Sequence, residues 1–158
     1  MARVTQNRQV ENLDGNFKRE GNTTAPAFET ENARHDQLGI FHQANIAINQ
    51  SGVALKLNGL DSDAAASFIA PRAGTIVGMA WALTAASTHT AGAIQPTVGG
   101  TAVGTSVAID GGGTSAVVDM TPVSFVEGAL IGVALTTDAN WLPTTTDLTC
   151  WVIVRWTA

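Results

Sequence analysis

From residue 43 to residue 157, apolar and polar side chains alternate in short runs broken by glycine-rich stretches, and a period of two is the mark of half-buried strands. In "ANIAINQSGVALKLNG", Ile46 and Ile48, then Val53, Leu55 and Leu57, flank Gln50-Ser51-Gly52, which predicts two short strands around a turn. The stretch "FIAPRAGTIVGMAWALTAA", residues 68–86, approaches the length of a membrane span, but Pro71, Gly74 and Gly78 interrupt it and Arg72 charges it. It reads instead as a strand over 67–70, a turn or bulge over 71–74 and a long strand over 75–85. Val77, Met79, Trp81 and Leu83 then share one face, and Gly78, Ala80, Ala82 and Thr84 the other.

Strands over 94–98 and 101–109 flank Gly99-Gly100, a pair suited to the positive φ angles of a two-residue hairpin. "DGGGT", residues 110–114, is a connection, and further strands are predicted over 115–120, 129–137 and 147–157. In the last, Leu148, Cys150, Val152, Val154 and Trp156 form one face and Trp151, Ile153 and Arg155 the other. About eight or nine short strands, without a sustained helical period beyond residue 60, predict an all-β protein: an antiparallel β-sandwich or jelly roll. Helices in "SDAAASF" or "MAWALTAA" would rest on alanine propensity alone, which strand context overrides.

The first 35 residues are written differently. Arg3, Arg8, Lys18, Arg19 and Arg34 mix with Glu11, Asp14, Glu20, Glu29 and Glu31, and apolar residues stand singly. Such a segment buries too little apolar area to offset a backbone ordering cost of roughly 1–2 kcal/mol per residue. Residues 1–42 are therefore expected to be an extended or disordered N-terminal arm and residues 43–158 the β-domain. Val10, Leu13, Phe17 and Phe28 are spaced as anchors for pockets on a partner; a tail with no partner is the other reading.

Charge narrows the field. With 8 Lys+Arg against 13 Asp+Glu and a net charge of -5, the chain lacks the basic footprint of a nucleic-acid binder. A lone cysteine, Cys150, and an N-terminus without an apolar signal core point to synthesis in a reducing cytoplasm. Residues 51–158 hold only Lys56, Arg72 and Arg155 as bases, so the outward positions of the strands are Ala, Gly, Thr or large apolar groups. A monomer would expose more contiguous apolar surface than soluble monomers tolerate. The β-domain is accordingly expected to associate with copies of itself in a closed ring such as a trimer; a monomer with a bland Thr/Ala/Gly surface is the alternative.

Catalytic and ligand patterns are sparse. His35, His42 and His89 lie apart, without metal-ligand spacing, and "DGGGT" lacks the Lys and following helix of a phosphate loop. Asp61 and Asp63 are not followed by a series of oxygen ligands, so no metal, cofactor or catalytic residue is expected. Trp141, in "DANWLPTTTD", lies in a loop where an exposed indole would suit a sugar or a protein; it could equally plug the end of a sandwich. Trp81, Trp151 and Trp156 fall within strands. Together with Trp141 they are the candidates for a self-association or partner face.

The runs "FIAPRAGTIVGMAWAL", "PTVGGTAVGTSVAI" and "FVEGALIGVALTTDANWLPTTTDLTCWVIVRW" resemble a β-sandwich pattern of tailed-bacteriophage virion proteins, in which a strand ending in Pro leads to G-T-I, a hairpin, F-x-x-G-D-x-I-x-V and a closing strand. The match spans about residues 45–157, with Gly99-Gly100 in place of Asn-Gly and Ala129 in place of Asp. The resemblance implies a capsid decoration (cement) protein on the virion exterior: trimeric β-domains, with arm residues Val10, Leu13, Phe17 and Phe28 clamping the major capsid protein or adjacent copies. A receptor- or carbohydrate-binding module of a tail or head fibre is the alternative. No enzyme activity, nucleic acid or membrane partner is expected.

Overall fold

The computed structural model describes residues 36–58, 67–88 and 92–157, and Asp36–Arg155 is one compact unit. Its strands are β1 (Asp36–Gln43), β2 (Val53–Ala54), β3 (Lys56–Leu57), β4 (Ser67–Ile69), β5 (Gly74–Leu83), β6 (Gly92–Val98), β7 (Thr101–Ala102), β8 (Val107–Ile109), β9 (Ser115–Phe125), β10 (Leu130–Thr137) and β11 (Leu148–Trp156). They form an all-β sandwich of two antiparallel sheets. One sheet runs β3-β1-β11-β5-β9. In the other, β10 and β6 are central; β2 and β4 share the free side of β10, and β7 and β8 share that of β6. Eleven strands thus occupy nine lanes.

Regular alternation produces regular strands where no neighbour intervenes. In β11, Leu148, Cys150, Val152, Val154 and Trp156 are buried while Trp151 and Ile153 are half-buried and Arg155 is exposed, as the period of two predicts. Gly99 and Gly100, at φ +61° and +79°, close the β6–β7 hairpin in the twist that suits its strands. The predicted strand over 101–109 is split into β7 and β8. Val103 N donates to Pro96 O, so Pro96 faces the β7–β8 side, and the absent N–H of this proline falls where the neighbouring lane loops out.

Three expectations are corrected. First, β1 occupies residues 36–43, so Asp36 to His42 belong to a sheet rather than to the arm; all eight residues pair with β11, from Asp36 opposite Arg155 to Gln43 opposite Leu148. Second, the strand expected around Ile46 and Ile48 is a loop. Ile46 N donates to Thr146 O (3.0 Å), Asn45 N to Asp147 Oδ1 (2.9 Å), Gln50 N to Thr137 Oγ1 (3.0 Å) and Thr137 Oγ1 to Ala47 O (2.7 Å). Buried threonines thus satisfy backbone that no strand pairs with, and Ile46 is held in the core. Third, Val77 does not share a face with Met79. Between Ile76 and Gly78 the partner strand β9 runs from Val123 to Asp119, a bulge that contains Pro122. The core face of β5 shifts there from Gly74 and Ile76 to Met79, Trp81 and Leu83.

The core between the sheets gathers Phe41, Ile76, Met79, Trp81, Cys150, Val152 and Val154 from one side and Ile94, Ile109, Ile131, Val133 and Leu135 from the other. Leu55, between β2 and β3, is fully buried where the chain passes from one sheet to the next, its N–H donating to Val133 O. Phe41 and Phe68 link the two layers, their ring centroids 6.4 Å apart.

Candidate interaction surface

Because β1 and β11 pair in strict register, their outward residues stand opposite one another. Leu38 faces Ile153 and Ile40 faces Trp151, while the intervening Gly39, Phe41, Cys150 and Val152 point into the sandwich. Leu38 is 55% exposed and Ile40 40% exposed; Trp151 and Ile153 are half-buried. On β5, Ile153 lies across Gly78, its Cδ1 3.2 Å from where a Cβ would stand. Ala80 and Ala82 continue the surface to β9, where Val117 opposes Ala80 and is 74% exposed.

The ends of this apolar strip are polar. At one end Arg155 grips Asp36 with both prongs, Nε to Oδ1 at 2.9 Å and Nη2 to Oδ2 at 3.1 Å. The hydrogen bond and then the charge of Asp36 raise the Arg155 pKa further above its ordinary value. At the other end His42 stands between Thr149 and Lys56, its Nδ1 3.2 Å from Thr149 Oγ1. An apolar centre with polar ends is the layout of a protein–protein contact. The opposite sheet differs. Its outer face, with Ala93, Gln95, Thr97, Ala134 and Thr136, is small and uncharged, with Leu130 opposite Ile69 as its bulky pair. Among the described residues the charged side chains on strands are Asp36, Lys56, Asp119 and Arg155.

The tryptophans expected to form a partner face divide unequally. Trp81 and Trp141 are fully buried and Trp156 is 8% exposed, so none of the three offers an indole face to another chain. Only Trp151 lies on the outer face. Trp141 plugs the sandwich: its Cζ3 lies 2.6 Å from the position a Cβ would take at Gly92, so the glycine is the seat of the ring. The large apolar residues of the outer face, Leu38 and Ile40, were concealed in the sequence by the polar run before them. The signal was the short apolar run Leu38-Gly39-Ile40-Phe41. The arm residues Val10, Leu13, Phe17 and Phe28, as well as His35, His89, Asp61 and Asp63, lie outside the described residues.

Cys150 is sealed in the core, and burial pushes its thiol well above the ordinary cysteine range. The folded chain is expected to resist alkylation by iodoacetamide at pH 8 and to be modified fully once denatured. Mass spectrometry of the two samples reads the difference, and rapid labelling of the native chain would contradict the packing described.

No family model and no curated protein matches the chain. Similar solved structures include a chain of the cyanophage Pam1 capsid asymmetric unit, at 13% identity and a TM-score of 0.47, covering 79% of this chain and 86% of that one. The globular domain of zebrafish complement 1qA is similar at 9% identity and a TM-score of 0.41, over 79% of this chain and 99% of that one. A Podospora anserina GH26-CBM35 β-(1,4)-mannanase is similar at 12% identity and a TM-score of 0.38, over 80% of this chain and 27% of that one. These likenesses assign no role to any residue here.

Proposed function

We propose that this chain is a non-enzymatic structural protein of a bacteriophage virion, made in the host cytoplasm and placed on the capsid exterior, where it decorates and stabilises the shell. The phage setting comes from the resemblance of the sequence. The observation that carries the self-associating role is the outer face of β1, β11, β5 and β9, where Leu38, Ile40, Trp151, Ile153 and Val117 form one apolar strip with polar ends. In this reading the β-domain forms a closed ring, expected to be a trimer, and arm residues Val10, Leu13, Phe17 and Phe28 engage the major capsid protein or a neighbouring copy. Several arms on one ring raise avidity by orders of magnitude over a single arm.

Two measurements test the two halves of this reading. Sedimentation of the full chain is expected to show a closed oligomer, and a monomer at high concentration would remove the ring. Deleting residues 2–35 is expected to abolish capsid occupancy, counted by mass spectrometry of purified particles; unchanged occupancy would remove the arm. In the alternative, a receptor- or carbohydrate-binding module of a tail or head fibre, the Thr-rich loops would face the host without Trp141, whose ring is enclosed by its own chain.

A further inference from the structure

β9 ends the sheet order β3-β1-β11-β5-β9, and among the described residues its far side has no partner strand. The backbone groups on that side can be identified. Leu83 N donates to Thr114 O at 2.8 Å, so Thr114 faces β5. Successive residues of a strand turn their N–H and C=O to alternate sides, so Ala116 and Val118 also face β5 while Ser115, Val117 and Asp119 face outward. The side chains of these same three residues are exposed on the outer face of the sheet. The bulge holding Pro122 stops the run at one end and the glycine-rich turn before Ser115 stops it at the other.

We infer that the outward edge of β9, Ser115 to Asp119, pairs antiparallel with the same edge of a second copy, joining two sheets about a two-fold axis at Val117. The edge is complementary to itself in one register. With Val117 opposite Val117 of the second copy, each Ser115 stands opposite an Asp119, and all three opposed pairs exchange N–H···O=C bonds. The Ser115 hydroxyl donates to the facing Asp119 carboxylate, and the exposed valines cover one another. A shift centred on Asp119 would set two carboxylates face to face, one centred on Ser115 would bring Val117 against Gly113, one centred on Val118 would set Val117 against the Asp119 carboxylate, and one centred on Ala116 would set Val117 against Ser115 and Asp119 against Gly113; all are inferior. The bulge and Pro122, which guard the rest of this edge strand, fall after the pairing segment, and the one charge within it, Asp119, faces a serine in the paired register. This contact is two-fold where the proposed ring is cyclic; it adds backbone pairing along the β9 edge, shares only Val117 with the apolar strip, and does not depend on the phage setting.

Cysteine scanning in the full chain tests it. Hydrogen-bonded antiparallel partners lie about 5.5 Å apart at Cα, within the disulfide range of roughly 4.4–6.8 Å. Val117→Cys is therefore expected to give a disulfide-linked dimer under oxidised glutathione, read on a non-reducing gel, while Ser115→Cys, far from its own counterpart, gives little. Cys150, buried, does not compete. Ser115→Asp is expected to weaken association by at least about tenfold in sedimentation, by setting carboxylates opposite one another, and adding Asp119→Lys to it restores association. Absence of the 117–117 link, equal linking through Ser115→Cys, or no rescue by the double variant would each overturn the two-fold pairing.

Discussion

Trp141→Ala is expected to cost about 3–5 kcal/mol of folding stability, the range for emptying a large aromatic site that cannot collapse. The ring is fully buried, and the backbone at Gly92 forms part of its socket. Gly92→Ala should approach the same loss from the opposite direction, because an added methyl would meet the ring at 2.6 Å and both β6 and the indole are held. Trp141→Phe should be milder, about 1–2 kcal/mol, since the indole Nε1 has no hydrogen-bond partner among the described residues and no bond is lost with it. Urea unfolding followed by circular dichroism measures all three. A Trp141→Ala loss below about 1 kcal/mol would mean that the ring is not the plug described.

The second large effect is on assembly rather than folding. Leu38→Lys with Ile40→Lys places two ammonium groups in the middle of the apolar strip, on positions already open to water in the single chain. Folding stability is expected to change by no more than about 0.5 kcal/mol per site. Association through this face should weaken by about 100-fold or more, since each substitution removes roughly 1 kcal/mol or more of apolar burial and adds the cost of covering a charge. Sedimentation across a concentration series reads this, while the 117–117 disulfide remains as a separate measure of the β9 edge. An unchanged oligomer would move the ring contact to another surface, the small uncharged face of the opposite sheet being the next to test.

The architecture was legible wherever one residue's neighbours along the chain decide its environment. The alternation in β11 and the Gly99-Gly100 turn between β6 and β7 are local, and both stand as read. β1 was not legible. Leu38-Gly39-Ile40-Phe41 is apolar on both faces and follows a polar run, so it carries no period of two and passes as part of the arm. The threonines gave no indication of which would be buried as anchors, because the roles of Thr137, at the end of β10, and Thr146 come from Ala47, Gln50, Ile46 and Ala85, distant in the chain.

The surface shows the same division. A scarcity of charge was readable from composition, and it correctly implied that both outer faces would be bland or apolar. Which apolar groups remain outside was decided by pairing: β1 against β11 brings Leu38 and Ile40 beside Ile153 and Trp151, and the bulge in β9 removes Val77 from the face it would otherwise share with Met79.

By itself the sequence determined the class of fold, the positions of most strands and the poverty of charge, because periodicity and turn chemistry act over a few residues. Only the tertiary structure decided that three of the four indoles lie inside, that Leu38 and Ile40 lie outside, and that Ser115, Val117 and Asp119 turn their backbone to a free edge. The reason is that burial and edge position are properties of strand neighbours, and strand neighbours here, such as Asp36 and Arg155, stand more than a hundred residues apart along the chain.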